Sequence, residues 1–454
     1  MTELPLVSYS DPSRVFAWRK GKPVRLSDFL ADVQRVAAAM PDTMHMLNLC
    51  HDRYHFTVAF AAAAISNRIT LLPSTRTADT TRQIRAFAPD VFCLSEQPCD
   101  LNFPQILYPG GIGSGAQFEA QTVPMIAADR VVVYAFTSGS TGTPVPHPKN
   151  WGALTACVQS GSTRLGLNDD RRYTLIGTVP PQHMYGFEST VLLALQGGAA
   201  LGAAHPFYPA DVASDLAAVP APRVFVTTPV HLSALLSSQV ALPPVALILS
   251  ATAPLSRSLA HEAEVRIGAP LLEIYGSTET GQIATRRTAE TATWELLPGV
   301  HLQRDHLGVG QAVGGHLAQT TALHDVIEPL DSNHFLLHGR SADMVNIAGN
   351  RSSLAYLDHK LNSIPGVIDG VFYMPDDMQS SHNMRLMAFV VAPTLTHDHL
   401  LAALRERVDA VFLPRPLVLV DALPRNTTGK LPRSTLHELA KQHSACHEVA
   451  DDRR

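Results

Sequence analysis

Two loops rich in glycine and hydroxyl side chains have the composition of phosphate-binding loops. The first, residues 137–144 (Thr-Ser-Gly-Ser-Thr-Gly-Thr-Pro), directly follows the β-branched run Val131–Phe136. Its glycines allow a tight turn, and its backbone N–H groups and hydroxyls can donate hydrogen bonds to phosphate oxygens. It is not a Walker loop, because the pattern GxxxxGK[ST] is absent. Taken alone, it is equally consistent with a flexible Ser/Gly turn.

The second loop, residues 275–281 (Tyr-Gly-Ser-Thr-Glu-Thr-Gly), carries a carboxylate among its hydroxyls. Glu279 is a hard oxygen ligand that can hold Mg²⁺ beside phosphates, and Thr278 can donate a hydrogen bond to a phosphate. A third loop, residues 250–254 (Ser-Ala-Thr-Ala-Pro), also follows a predicted strand. We expect all three loops at one edge of a sheet, where open α/β sheets bind ligands. A capped turn is the alternative interpretation of the second loop alone.

Two further groups of residues could contact a nucleotide. Asp325 and Arg340 are joined by a predicted hairpin, and a carboxylate can accept two hydrogen bonds from the vicinal hydroxyls of a ribose. Lys430 follows a glycine in the loop 423–431 (Leu-Pro-Arg-Asn-Thr-Thr-Gly-Lys-Leu). A surface ion pair and a solvated lysine are the alternatives. Only six of the 35 basic residues are lysines, so a lysine can mark a place that needs a compact ammonium, although chance also explains any single one.

Strands that alternate with helices must position these loops. Predicted strands cover residues 131–136, 173–179, 224–228, 245–249 and 271–275, and predicted helices cover 51–69 and 256–267 and follow Asn150 and Thr228. This alternation predicts an α/β fold with a large N-terminal domain of mixed α/β sheets.

The pattern changes twice towards the C-terminus. Residues 292–340 predict a small β-rich subdomain, because short apolar pieces alternate with glycines. Beyond it, helices near 354–364 and 396–409 and strands at 371–373, 386–391 and 416–420 predict a small α+β domain. We therefore expect an N-terminal domain at residues 1–340 and a C-terminal domain at 341–454. The polar tail from Gln442 is expected to be frayed.

Composition excludes several classes of protein. The chain has 454 residues, a formal charge of −5, 46% hydrophobic and 17% charged residues, which argues against nucleic-acid binding and against disorder. Five scattered cysteines without CxxC spacing disfavour a disulfide framework or a zinc ribbon. No secretory signal is visible, and the longest apolar run, Phe56–Ile65, is too short to span a membrane. These features predict a cytoplasmic protein with no membrane span.

Together, and in this order, the five groups of residues strongly resemble the adenylate-forming superfamily, over about Val131 to Arg433. This superfamily includes acyl- and aryl-CoA synthetases, nonribosomal peptide adenylation domains and firefly luciferase. The resemblance implies that a carboxylate attacks the α-phosphate of ATP, with Mg²⁺, to give an acyl-adenylate and pyrophosphate, and later AMP. It also implies that the C-terminal domain is mobile and swings, so that a phosphopantetheine thiol of coenzyme A or an acyl carrier protein takes the acyl group.

The resemblance assigns roles to individual residues. Lys430 resembles the catalytic lysine between the carboxylate and the α-phosphate, Glu279 the Mg²⁺ ligand, and His183 the aromatic residue that gates the acyl pocket. Gly349 resembles the glycine beside the pantetheine tunnel. The residues that resemble pyrophosphate, adenine and ribose contacts are Thr137, Ser138, Gly139, Ser140, Thr141, Gly142, Ala251, Thr252, Ala253, Pro254, Tyr275, Gly276, Thr278, Asp325 and Arg340.

The sequence departs from the family pattern at three places. Val145 follows Pro144 where the family usually has lysine, and we expect Lys149, four residues on, to supply the charge to the pyrophosphate loop instead. The family's Thr-Gly-Asp reads Leu323-His-Asp here, and the hinge position is Ala342 rather than Asp or Lys. The last difference bears on how the domain swing is set.

The residue after His183 bears on the acid. Amino-acid-activating relatives carry Asp at the position of Met184, so a free amino acid is disfavoured. The surrounding Tyr185, Phe187, Val191 and Leu192 predict an apolar or aromatic acid, such as a hydroxybenzoate. The run His147–Trp151 is similar to that of stand-alone ligases of aryl polyene and xanthomonadin-type pigment pathways, which load an acyl carrier protein. The alternatives are a nucleotide-binding regulator or pseudo-ligase, and a serine α/β hydrolase, for which no GxSxG elbow is present.

Overall fold

A computed structural model describes residues 2–73, 77–110, 122–138, 144–169, 171–306, 309–340, 344–347, 350–375, 386–426 and 430–451. The chain divides into two compact units. The first comprises residues 1–251, 257–302 and 312–321, and the second comprises 252–256, 303–311 and 322–454. Within the described ranges, no helix is both long and apolar enough to cross a bilayer.

The first unit contains a mostly parallel sheet and a strand pair outside it. The sheet has the order β10-β9-β5-β4-β6-β7, and only the β9/β10 hairpin is antiparallel. The strands from β1 to β10 are Glu3–Pro5, Val15–Arg19, Lys22–Arg25, His45–Asn48, Ile69–Leu72, Phe92–Ser95, Gln105–Leu107, Met125–Ala127, Val131–Ser138 and Pro144–Asn150. Strand β1 pairs with β8.

A second sheet of the same unit has the order β17-β16-β15-β14-β13-β11-β12-β2-β3. Strands β11 to β15 and β2 are parallel neighbours, whereas β15/β16, β16/β17 and β2/β3 are antiparallel. The strands from β11 to β17 are Thr174–Gly177, Ala200–Gly202, Arg223–Thr227, Leu247–Ser250, Leu271–Ser277, Gly281–Arg286 and Trp294–Leu296. Their central members are buried apolar runs, as expected for parallel strands covered on both faces.

Helices of the first unit pack between and around the sheets. The helices from α1 to α9 are Leu26–Ala39, Arg53–Ile65, Ala78–Phe87, Trp151–Arg164, Met184–Gly186, Leu193–Gln196, Pro209–Ala217, Pro229–Ser237 and Arg257–Ile267, and a π-helical segment, Phe187–Leu192, joins α5 to α6. Side chains cap several of them: Asn150 accepts from the backbone N–H of Ala153 at 2.7 Å at the start of α4. Helix α2 is buried along nearly its whole length and forms the centre of the core with Trp151 and Phe187.

The second unit is a small α+β body. Three short strands each have residues in both units: β18 Val300–Arg304, β19 Gly310–Gly314 and β20 Thr321–Ala322. Its own elements are β21 Asp325–Pro329, β22 His334–Arg340, β23 Met344–Ile347, β24 Asn350–Ser353, α10 Leu354–Asn362, β25 Asp369–Tyr373, β26 Met387–Val391, α11 His397–Arg405, β27 Leu417–Leu419 and α12 Arg433–Asp451. The sheet β25-β26-β27 carries apolar clusters on both faces.

The predicted α/β class with mixed sheets is confirmed. The helix expected at 51–69 is α2, Arg53–Ile65, and the predicted strands and helices of both regions occur with ends shifted by a few residues. Helix α12 runs to Asp451, and Leu436 and Ala440 anchor its first turns in an apolar cluster with β26. The fraying expected of the tail from Gln442 stays a prediction. The boundary at residue 340 stays a prediction, since residues 341–343 lie outside the described residues.

Candidate active site

The first predicted phosphate-binding loop begins on β9 and ends on β10, two antiparallel strands. Ser138 pairs with Pro144, and Thr137 pairs with Val145. The predicted contacts Gly139, Ser140, Thr141 and Gly142 lie outside the described residues, as does the side chain of Ser138. Thr137 is described: its Oγ1 lies 2.9 Å from Nε2 of His147 on the opposite strand.

The acidic loop is a tight turn between β15 and β16, and Ser277 pairs with Gly281 across it. Two reciprocal hydrogen bonds brace the turn: the N–H of Ser277 donates to Oγ1 of Thr280 at 3.0 Å, and the N–H of Thr280 donates to Oγ of Ser277 at 3.2 Å. Residues 278–280 therefore form a defined loop tip. The side chain of Glu279 is 28% exposed there, and Thr278 is half-buried.

His147 connects these two loops. Its Nε2 lies 3.5 Å from Oε1 of Glu279 as well as 2.9 Å from Thr137. Burial lowers the pKa of His147, with a contribution from the charge of Lys149, although Glu279 opposes the shift. The structure thus brings together Thr137 and Glu279, which were predicted from separate motifs, through His147, for which no contact was predicted. A polar residue two positions from Lys149 on the same strand face was the available signal.

Lys149 also reaches the acidic turn. It lies on β10, and its Nζ donates a 2.8 Å hydrogen bond to the backbone carbonyl of Glu279. Whether it also serves the pyrophosphate loop, as expected from the sequence, stays a prediction because residues 139–143 lie outside the described residues.

Gly281 ends the acidic turn with φ of +68°, a backbone conformation that favours glycine. A Cβ atom at this position would lie 2.7 Å from Oε1 of Glu188 and 3.3 Å from Sγ of Cys157. The turn therefore sits directly over a buried carboxyl group. Burial raises the pKa of Glu188 to about 7, while the charge of Lys149 opposes the shift.

Replacing Gly281 with alanine is expected to destabilise the first unit by at least about 2 kcal/mol, because a strained backbone conformation adds to the clash with Glu188. Chemical denaturation measures this change. Gly166→Ala is the matched control, since Gly166 has φ of +67° and nothing lies within 4 Å of its added Cβ. Equal losses in the two variants would show that the close approach to Glu188 contributes nothing.

The third loop follows β14, whose Ser250 pairs with Glu273 of β15 and with Thr227 of β13. The carboxyl ends of β14 and β15 therefore lie at one edge, as predicted for the second and third loops. The prediction is wrong for the first loop, because β9 and β10 belong to the other sheet. Ala251 is buried, and Thr252 has φ of +81°, an unusual and strained value for a β-branched residue. Of the other predicted contacts, Ala253 and Pro254 follow Thr252 in the second unit, and Tyr275 and Gly276 lie on β15 in the first.

His183 precedes helix α5 as its N-cap residue. Its carbonyl accepts from the N–H of Phe187 at 2.8 Å, and its side chain is half-buried. Gly186 explains the spacing of this motif: a Cβ atom there would lie 2.1 Å from the carbonyl oxygen of Pro180. A side chain at position 186, the last residue of α5, would therefore clash with this carbonyl.

The predicted ribose contacts and the predicted catalytic lysine lie in the second unit. Asp325 and Arg340 are register partners on β21 and β22, and the side chain of Arg340 lies outside the described residues. The backbone of Lys430 is held by Asn426, whose Oδ1 accepts from the N–H of Lys430 at 2.9 Å. The neighbouring Arg425 forms a bidentate pair with Asp369 at 2.7 and 2.8 Å. Gly349 and Ala342 lie outside the described residues.

Comparison with known proteins assigns this architecture. A sequence model of the AMP-binding enzyme family matches residues 44–303, a range that includes both the β9/β10 hairpin and the acidic turn. The chain belongs to the AMP-binding enzyme family. The expected class, an AMP-forming acid–thiol ligase, is thereby confirmed.

Two relatives of this AMP-binding enzyme are CoA ligases. It is 32% identical over 298 residues to a 4-coumarate–CoA ligase of Rhodobacter capsulatus, a match covering 65% of this chain and 73% of the relative. It is 26% identical over 380 residues to a 4-chlorobenzoate–CoA ligase of an Arthrobacter species, covering 74% and 71%.

Solved structures share the fold of this AMP-binding enzyme along nearly its whole length. The o-succinylbenzoate CoA synthetase of Bacillus subtilis, in complex with its acyl-adenylate intermediate, superposes with a TM-score of 0.81 at 18% identity, covering 96% of this chain and 98% of that one. The anthranilate CoA ligase AuaEII superposes with a TM-score of 0.78 at 16% identity, covering 97% and 99%. These similarities show the fold.

Proposed function

We propose that the protein adenylates an aromatic carboxylic acid with ATP and Mg²⁺ and transfers the acyl group to a phosphopantetheine thiol. The observation that carries the first step is the contact of His147 with both Thr137 and Glu279. It brings a hydroxyl, an imidazole and a carboxylate together where the β9/β10 hairpin meets the acidic turn. The structure of a Bacillus subtilis relative contains ATP and a magnesium ion, which supports the assignment of these ligands.

The side chains around Glu279 fit a magnesium ion that takes most of its ligands from a nucleotide. Among the described residues, no three His, Cys, Asp or Glu side chains cluster as a metal site, and Glu279 offers one partly exposed carboxylate. Mg²⁺ is commonly held by one or two carboxylates together with substrate phosphates. Bound there, it would neutralise phosphate charge that otherwise repels an anionic acid. Thr137 and Thr278 would donate to the phosphates, and Glu279 would orient them through the ion.

The acid is assigned from the residues that follow His183. Met184 and Tyr185 are only partly buried, whereas Phe187, Val191 and Leu192 are fully buried in the main core. The apolar surface expected beside the acid is therefore limited to the first two, because the π-helical segment turns the other three inward. A substrate ammonium would find no carboxylate at position 184. The aromatic acids named for both relatives agree with this assignment.

We further propose coenzyme A as the first acceptor to test, since the relatives are named CoA ligases, with a holo acyl carrier protein as the second. Residues 1–340 would form the adenylation domain. Residues 341–454 would form the mobile domain. It would bring Lys430 to the reactants for the first half-reaction, and it would then swing to present its other face for the second.

Pyrophosphate release across a panel of acids tests this proposal. We expect hydroxybenzoates and hydroxycinnamates to exceed free amino acids in kcat/KM by about 10² or more, because an ammonium desolvated without a counter-charge costs several kcal/mol. Aliphatic acids of similar length are the control for the aromatic ring. Repeating the assay with coenzyme A and with a holo carrier protein identifies the acceptor.

Two outcomes of the panel would contradict the proposal. If free amino acids were the best substrates, the assignment from Met184 would be wrong. If ATP bound but no acid released pyrophosphate, the protein would instead be a nucleotide-binding regulator or pseudo-ligase. The exposed Val145, where the family has lysine, is the feature that favours that second function.

A further inference from the structure

The buried side of the acidic turn is held by a polar cluster that the proposed reaction does not use. Each carbonyl of the sequence Glu279-Thr280 has its own side-chain donor. Lys149 Nζ donates to the carbonyl of Glu279 at 2.8 Å, and His316 Nε2 lies 2.9 Å from the carbonyl of Thr280. Both donors come from outside the β15/β16 hairpin, so they tie the turn to the rest of the first unit.

His316 is committed to this contact. It is 9% exposed, and its Nδ1 is buried without a partner. Because a carbonyl can only accept, Nε2 must carry the proton and Nδ1 must be the bare nitrogen. Burial lowers the pKa of His316, and the charge of Lys149 adds to this shift. The hydrogen bond to the Thr280 carbonyl opposes it. The neutral ring thus presents one donor, directed at the turn.

Lys149 reaches the turn across a buried charge cluster. Cys157 Sγ lies 3.8 Å from Oε1 of Glu188 and 3.7 Å from the carbonyl of Gln282. Burial lowers the pKa of Lys149, and Glu188 is the largest of the nearby groups that oppose this shift. Placing an ammonium in such surroundings is costly unless it gains specific partners. The partner it gains is the carbonyl of the predicted magnesium ligand.

We propose that Lys149 and His316 are positioning residues that fix the turn Thr278–Gly281 from its buried side and thereby aim the Glu279 carboxylate. Glu188, beneath Gly281, is the neighbouring group whose charge most favours the Lys149 ammonium. The turn's own serine–threonine brace shapes it, and the two external donors set its orientation. The role of the aimed carboxylate in holding Mg²⁺ rests on the proposed function, whereas the anchoring of the turn does not.

Hydrogen–deuterium exchange of the peptide covering residues 271–286 tests the anchoring without reference to any reaction. In Lys149→Met and in His316→Leu, the amides of residues 277–281 should exchange about tenfold faster, the equivalent of one lost hydrogen bond. Lys149→Arg and His316→Gln keep a donor and should stay within about twofold of wild type. Lys22→Met, at an exposed lysine of the same unit, is the matched control and should not change.

The double variant Lys149→Met/Glu188→Gln guards against misfolding, because it does not leave the buried carboxyl group of Glu188 without the Lys149 charge that acts on it. It should recover thermal stability relative to Lys149→Met alone, yet the turn should still exchange fast. In the variants that lack a donor, the Mg²⁺ concentration for half-maximal pyrophosphate release should rise about tenfold, with the KM for the acid unchanged.

Unchanged exchange at residues 277–281 in both donor-lacking variants would overturn the proposal. A rise spread evenly over the whole unit would also overturn it, since that would show general destabilisation. If the wild-type protein released no pyrophosphate with any acid, the proposed function would fail, while the exchange measurement would still decide whether Lys149 and His316 anchor the turn.

Discussion

Lys430→Ala is expected to slow adenylate formation by about 10²–10³-fold and to leave acyl transfer from supplied acyl-adenylate largely intact. Two anions, the carboxylate and the triphosphate, must meet at the α-phosphorus. An ammonium between them stabilises the charge that builds in the transition state. Lys430 is exposed in the second unit, and its backbone N–H donates to Asn426. The proposed domain swing would bring it to the first half-reaction and remove it for the second.

Measuring the two half-reactions separately on the variant decides this prediction. Pyrophosphate exchange reports the first step, and thioester formation from synthetic acyl-adenylate reports the second. Lys441→Ala, at an exposed lysine on α12, is the matched control and should match wild type in both. Equal loss in the two half-reactions would indicate misfolding or a shared role. No loss in adenylation would remove Lys430 from the site and weaken the whole proposed function.

Glu279→Gln is expected to reduce adenylation by about 10²-fold or more, because a single carboxylate charge is lost where Mg²⁺ and phosphates are proposed to meet. The fold should survive the change. Lys149 bonds to the backbone carbonyl of Glu279 rather than to its carboxylate, and the brace of the turn uses Ser277 and Thr280.

The measurement is the rate of pyrophosphate release as a function of Mg²⁺ concentration, with thermal unfolding as the check on folding. Glu279→Asp keeps the charge on a shorter side chain, and part of the lost rate should return at high Mg²⁺. Glu290→Gln, at an exposed glutamate of the same unit that pairs with Arg287, is the matched control. Wild-type turnover in Glu279→Gln would place this carboxylate outside the site.

Much of the fold could be predicted from the sequence because its elements have strong local patterns. Buried parallel strands such as β13 and β14 are continuous apolar runs, and caps such as Asn150 mark where helices begin. The placement of the second and third loops at one edge followed from strand direction, whereas the sequence did not show that the first loop lies on a different sheet. Element ends were less accurate, because tertiary contacts decide the last turn of a helix or the last pair of a strand.

Predictions that depended on the direction of a side chain were less accurate than predictions of the elements. Phe187, Val191 and Leu192 were expected beside the substrate, yet the π-helical segment buries them in the core. Apolar residues around a motif suit either environment, and only the packing of the segment distinguishes them.

The sequence by itself determined which functional groups are present: the hydroxyls of the loop after β9, the carboxylate of Glu279, and no carboxylate directly after His183. Only the tertiary structure decided how these groups are held. His147 lies between Thr137 and Glu279, Lys149 bonds to a carbonyl 130 positions away in the chain, and Glu188 lies buried beneath Gly281. The contacts of His147 and Lys149 with Glu279 join the β9/β10 hairpin to a turn of the other sheet. No local pattern of residues records them, because they arise when distant segments pack together.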